Sequence, residues 1–123
     1  MKTNPIVLVV DDSKVSRSVV GGHIKTRLPD AEVIEAADGP SALAAAHAHR
    51  PDLVVLDINM PGISGLDVAQ QLKAQHPDTL IALLTANMQV TVQMKAAALG
   101  AAIYHKPARG DVIDQILQLL ETP

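Results

Sequence analysis

Four polar signals in this chain each close an apolar run. Asp11 and Asp12 follow Ile6-Val7-Leu8-Val9-Val10. Asp57 follows Leu53-Val54-Val55-Leu56, Thr85 follows Leu80-Ile81-Ala82-Leu83-Leu84, and Lys106 follows Ala102-Ile103-Tyr104-His105. If the runs are parallel strands, all four signals lie at strand carboxyl ends, where open α/β sheets place their ligand sites. A pocket of three carboxylates, a hydroxyl and an ammonium suits a divalent cation and a phosphoryl group. Adjacent carboxylates such as Asp11 and Asp12 repel, which raises the pKa of one unless a cation neutralises them. Mg²⁺ prefers oxygen ligands in octahedral geometry and keeps several waters, so one direct and one water-mediated Asp is a natural arrangement. A carboxylate at Asp57 can attack phosphorus and form an acyl phosphate. The turn Asp57-Ile58-Asn59-Met60-Pro61-Gly62 brings the Asn59 carbonyl near the same cation. Thr85 can bond a phosphoryl oxygen, and Lys106 can neutralise one as a point charge. Each residue also has a plain structural use. Asp caps helices and turns, strand-end Thr satisfies local backbone, and Lys106 can simply pair with Asp57.

Positioning these groups takes five strand–helix units. The apolar runs at 6–10, about 33–36, 53–56, 80–84 and 102–105 are short and near-continuous, as strands covered on both faces require. Glu35 in the weakest run places that strand at an edge. Ser13 is the N-cap of a first helix with Val15, Val19, Val20 and Ile24 at helical spacing, interrupted by Gly21 and Gly22. Pro40-Ser41 opens an Ala-rich second helix. Pro61-Gly62 turns the chain, and Ser64 caps a third helix carrying Leu66, Ala69 and Leu72, which Pro77-Asp78 stops. Asp111 starts the last helix, with Val112, Ile113, Ile116, Leu117 and Leu120 on one stripe. Met88–Met94 alternates like a strand, yet a parallel sheet needs a crossover there, so it is read as helix. The pattern predicts an α/β, doubly wound, five-stranded parallel sheet with helices on both faces. The absence of a glycine-rich dinucleotide fingerprint favours strand order 2-1-3-4-5.

With 123 residues and 48% hydrophobic content, the chain reads as one ordered domain over 1–123. Its net charge of −3 and lack of a basic block disfavour direct nucleic-acid binding. The absence of cysteine excludes disulfides and thiol catalysis. The apolar run after Lys2 is too short for a signal peptide or a membrane span, so a cytoplasmic location is expected. His23, His47, His49, His76 and His105 form no metal-ligand pattern, and the glycines form no phosphate-cradling loop.

Taken jointly, Val9-Val10-Asp11-Asp12-Ser13, Leu56-Asp57-Ile58-Asn59-Met60-Pro61-Gly62-Ile63-Ser64-Gly65, Leu84-Thr85-Ala86 and Lys106-Pro107 resemble the receiver domain of two-component response regulators over about Ile6 to Leu120. The resemblance implies a flavodoxin-like fold. It implies Asp57 as phosphoacceptor, with Asp12 a direct Mg²⁺ (or Mn²⁺) ligand, Asp11 a partner through water and the Asn59 carbonyl a third ligand. Thr85, Lys106 and the Ala86 amide would hold the phosphoryl oxygens. It also implies a sensor histidine kinase or phosphotransfer protein as donor. The expected role is signalling by self-catalysed phosphotransfer and dephosphorylation, not turnover of a metabolite. Asn59 and Asn87 occupy the places that tune phosphoryl lifetime in the family. One departure stands out: the family's aromatic switch position, three places before the lysine, is Ile103, with Tyr104 beside it, and the stretch from Gly100 to Lys106 is one residue shorter. Adjacent strand residues face opposite ways, so Tyr104 is expected to point away from the switch pocket.

Two other functions fit this pattern less well. An aspartate-nucleophile phosphatase needs a second Asp two residues past the nucleophile, where this chain has Asn59. A binding module that no longer takes phosphate is at odds with the intact acidic set. On a helix Val90 and Met94 share one face and Met88 and Val92 another, and both cannot be buried. Flexible methionines suit adaptable docking, so a downstream protein partner is expected around Val90, Met94 and Tyr104. No output domain is read after Leu120.

Overall fold

The computed structural model describes residues 4–60 and 64–121. Its strands are β1 (Ile6–Val10), β2 (Glu32–Ala36), β3 (Leu53–Asp57), β4 (Leu80–Thr85) and β5 (Ala102–His105). Between and after them run helices α1 (Lys14–Arg27), α2 (Gly39–His49), α3 (Gly65–Gln75), α4 (Val90–Leu99) and α5 (Gly110–Leu117), which ends in a 3₁₀ turn, Gln118–Glu121. The strands form one parallel sheet in the order β2-β1-β3-β4-β5.

Side-chain alternation along the strands divides the core into two layers. Val7 and Val9 of β1, with Val55, Ala82 and Leu84, pack under α1 and α5 through Val20, Ile24, Ile113 and Ile116. Leu8 and Val10, with Val54, Leu56, Ile81 and Leu83, pack under α2, α3 and α4 through Ala42, Ala46, Val68, Leu72 and Ala96. Each fully buried Val, Leu or Ile contributes about 1.5–3 kcal/mol of transfer free energy. The register then aligns the strand ends: Val10 lies opposite Leu56, Asp57 opposite Leu84, and Thr85 opposite His105. Residues that follow these positions all emerge at one edge of the sheet. As the edge strand, β2 exposes Glu32 and Glu35, charges that discourage pairing with another chain.

Several local expectations are corrected. Along α1 only part of the apolar stripe turns inward: Val20 and Ile24 are buried, but Val15 is 74% and Val19 59% exposed. Gly21 does not interrupt the helix. A Cβ there would lie 3.2 Å from Val33 Cγ1, so the glycine lets α1 approach β2. The second helix is capped by Asp38 rather than opened at Pro40-Ser41. The Asp38 carboxylate accepts the Ser41 amide at 2.8 Å, and Ser41 closes a capping box. Helix α4 begins at Val90, leaving Met88 and Gln89 in the preceding loop, and ends on Gly100 at φ 73°. The last helix starts one residue before Asp111, after Arg109. Ser13 and Ser64 cap α1 and α3 as read from the sequence. The Pro61-Gly62 turn lies outside the described residues. Among the described residues, no helix is long and apolar enough to cross a membrane.

Candidate functional site

Asp57 is the last residue of β3 and only 2% exposed. Its Oδ1 accepts the Asn59 amide at 2.9 Å and pairs with Lys106 Nζ at 2.8 Å. Asp11, the first residue past β1, is buried, while Asp12 beside it is exposed. The Asp11 amide donates to Ala36 O at 3.1 Å, its Oδ1 accepts the Ser13 amide at 2.9 Å, and its carbonyl accepts Arg17 Nη1 at 2.7 Å. One oxygen each of Asp11, Asp12 and Asp57 lies within 4.8 Å of the others. Burial is the main cause that pushes the Asp11 carboxyl above its ordinary range. The Ser13 amide opposes it, Asp57 adds to it, Lys106 opposes it, and Asp12 adds least. A cation among the three carboxylates would offset that cost. Hard oxygens with no sulfur or imidazole fit Mg²⁺ or Mn²⁺.

Opposite this acidic cluster stand the groups expected to meet phosphoryl oxygens. Thr85 is 1% exposed, and its hydroxyl turns to its own loop, donating to Asn87 O at 3.0 Å and accepting the Asn87 amide at 3.1 Å. The Ala86 amide donates to Asn59 Oδ1 at 3.3 Å. Lys106 is tied to the end of β4 by its amide, which donates to Thr85 O at 2.8 Å. Asp11, Asp12, Asp57 and Lys106 are therefore gathered at one point, Asn59 and Ala86 meet beside it, and Thr85 is held by Asn87.

Two residues position the site in ways their sequence pattern does not state: Arg17, and Gly65 at the end of the Asp57 motif. Arg17 joins the Asp11 carbonyl to Glu35, its Nε lying 2.9 Å from Glu35 Oε1. This link spans α1, the β1–α1 loop and the edge strand, and no local pattern announces it. Gly65, the first residue of α3, lies against the acceptor strand. A Cβ on it would sit 2.3 Å from Ile58 Cα and 2.8 Å from Asp57 O. Its signal was a glycine directly after a capping serine, where helices do not need one. A cavity of about 480 Å³ opens beside Asp11 and Lys106, lined also by the exposed Val15 and Val19 and by Ala108.

On the far strands, Ile103 packs against the α2–α4 layer and Tyr104 against the α1–α5 layer. Strand alternation puts Thr85 on the Ile103 side, so the ring points away from Thr85, as expected. Burial raises the Tyr104 phenol above its ordinary pKa. Along α4, Val92 and Ala96 face the core, whereas Val90 is 69% and Met94 66% exposed.

A family profile described as the response regulator receiver domain matches residues 7–118. The chain belongs to this family. The receiver is 42% identical over 103 residues to transcriptional regulatory protein PrrA of Mycobacterium tuberculosis, covering 83% of this chain and 43% of that protein. It is 35% identical over 106 residues to protein-glutamate methylesterase/protein-glutamine glutaminase 3 of Anaeromyxobacter dehalogenans, covering 85% of this chain and 31% of that protein. The receiver thus spans less than half the length of these curated relatives, whose names describe different outputs. Among solved structures, chemotaxis protein CheY4 of Vibrio cholerae superposes with a TM-score of 0.86 at 31% identity, over 94% of this chain and 98% of that one. The receiver is the signal-accepting module of two-component response regulators.

Proposed function

We propose that the receiver accepts a phosphoryl group from a phosphohistidine on a sensor kinase or phosphotransfer protein, and that Asp57 is the acceptor. The phosphorus–nitrogen bond breaks, a phosphorus–oxygen bond to the Asp57 carboxylate forms, and the imidazole keeps the bonding pair. The observation that carries this reading is the buried Asp57 carboxylate, 2.8 Å from Lys106 Nζ and clustered with two further carboxylates. Asp11, Asp12, Asp57 and the Asn59 carbonyl would hold Mg²⁺ or Mn²⁺, which when bound supplies charge neutralisation at the reacting oxygens.

The chain's own groups do the rest. Lys106 moves from the free carboxylate to a phosphoryl oxygen. The Thr85 hydroxyl leaves Asn87, and the Ala86 amide leaves Asn59, each for another phosphoryl oxygen. These exchanges displace the β4–α4 loop and bias the α4–β5 face between two populations. The donor seats against Val15 and Val19, whose exposure is continuous with the cavity beside Lys106. A downstream protein docks on Val90 and Met94 with Tyr104 at the margin. The receiver turns over no metabolite, contacts no nucleic acid itself and works in the cytoplasm.

The test is covalent labelling. Incubated with a small phosphodonor and Mg²⁺, the wild-type chain gains one phosphoryl group by intact mass, and Asp57→Asn gains none. Equal labelling of both would remove Asp57 as the acceptor.

A further inference from the structure

Asn59 makes two unlike contacts. Its backbone amide donates to Asp57 Oδ1 at 2.9 Å, and its exposed carboxamide Oδ1 accepts the Ala86 amide at 3.3 Å. One residue therefore clamps the acceptor carboxylate with its main chain and the first amide after β4 with its side chain. The Ala86 N–H is a single donor, and an N–H aimed at a carboxamide is not free for an anion. Among the described residues, the neighbouring hydroxyl of Thr85 is already closed on Asn87 in both directions. The Asn59 carboxamide is solvent-exposed, so water can replace Ala86 as its partner once the contact is given up. Its contact with Ala86 fills the place where an incoming anion needs a donor.

We propose that the Asn59 side chain is a built-in competitor for the Ala86 amide, which a phosphoryl oxygen on Asp57 must displace before the β4–α4 loop can switch. The inference rests on the reading of Asp57 as phosphoacceptor. A neutral N–H···O=C bond is exchanged for a charge-assisted N–H···O⁻ bond, which is the stronger of the two. The exchange is favourable, but the competitor reduces the gain. A neutral hydrogen bond has a net worth that corresponds to about a two- to tenfold change in an equilibrium constant. Removing the carboxamide should tighten anion binding by that factor.

The experiment uses beryllofluoride, an anion under which a solved receiver, DrrB, is described as activated. Wild type and Asn59→Ala are titrated with it at one saturating Mg²⁺ concentration. In a second arm without Mg²⁺ or beryllofluoride, exchange of the Ala86 amide with solvent is followed by nitrogen-15 NMR. The expected result is tighter beryllofluoride binding by Asn59→Ala, about two- to tenfold, with faster exchange at Ala86 in the metal-free arm. A role in packing alone would leave the Ala86 amide protected. Equal or weaker beryllofluoride binding by the variant overturns the proposal, as does unchanged exchange at Ala86. If neither chain binds beryllofluoride, the Asp57 reading falls and this one with it. If both bind alike, only the role given to Asn59 is lost.

Discussion

The strand-end cluster and the α4–β5 face are built on opposite plans. Around Asp57 the buried polar groups have fixed partners: Asp57 with Asn59 and Lys106, Asp11 with Ser13, Ala36 and Arg17, Thr85 with Asn87. Along α4 only Ala96 is fully buried, and large apolar side chains stand in solvent. The first plan preorganises charge so that little rearrangement is needed when chemistry occurs. The second keeps local stability low, and such segments open or shift at small cost. The contrast teaches that a stiff acceptor end can drive a soft readout end. A small exchange of partners at Thr85 and Ala86 acts on a helix that few buried contacts hold in place.

The largest expected effect tests the stiff half. In Gly65→Ala the added methyl meets backbone, 2.3 Å from Ile58 Cα, so α3 must retreat from the acceptor strand. The cost is about 2–3 kcal/mol of stability, read by denaturant unfolding, together with slower phosphoryl labelling because Asp57 moves with Ile58. Unchanged stability would mean that the acceptor end is as yielding as α4.

Next comes Asp11→Asn, measured without divalent cation. Burial, aided by Asp57 and Asp12, raises the folded-state pKa of Asp11 above 3.8. Stability from the protonated acid is then fully present below pH 3.8 and lost as pH rises through the folded-state value. The variant should therefore melt a few degrees above wild type at pH 7, and the gap should close below pH 3.8. A gap independent of pH would show that charge is not what strains the site. Saturating Mg²⁺ should narrow the pH 7 gap, since the cation offsets the same repulsion in wild type.

Much of this contrast was legible in the sequence, and the legible part has a common physical form. Parallel strands buried on both faces are written as unbroken apolar runs, so Asp11, Asp57 and Thr85 announced themselves as the polar residues that end them, while Lys106 closes the weaker run of the half-exposed edge strand β5. Strand parity alone separated Ile103 from Tyr104. What stayed hidden depends on how elements approach one another. Helical spacing grouped Val15 and Val19 with Val20 and Ile24, but the sheet covers only part of that stripe. Arg17 reaches Asp11 and Glu35 only after β2 is laid beside β1. The pairing of Asn59 with Ala86 joins loops 27 positions apart, a contact that periodicity does not encode.

On the soft half the expected effects on the fold are small. Val90→Asp and Met94→Asp place charge on side chains already in water, so each should change stability by no more than about 0.5 kcal/mol. Both should weaken capture of the phosphorylation-dependent protein partner. Loss of stability beyond that range would mean α4 is held more firmly than its exposure indicates, and unaltered capture would remove it as the docking face.

Tyr104→Phe carries the smallest expected effect and separates the two halves most cleanly. The ring packs in the α1–α5 layer, away from Thr85, and only the hydroxyl is lost. Near pH 7 stability should stay within about 0.5 kcal/mol of wild type, and beryllofluoride affinity should not change. The difference should emerge only in alkali. Because burial raises the folded phenol's pKa, the neutral form stabilises the fold below pH 10.0, and that contribution is lost as pH rises through the folded-state value. Phe has no proton to lose, so the variant should outlast wild type there. Were Tyr104 instead the group that follows Thr85 inward, Phe would alter beryllofluoride binding at neutral pH. The readout would then run through the ring, not through the loop that Asn59 holds.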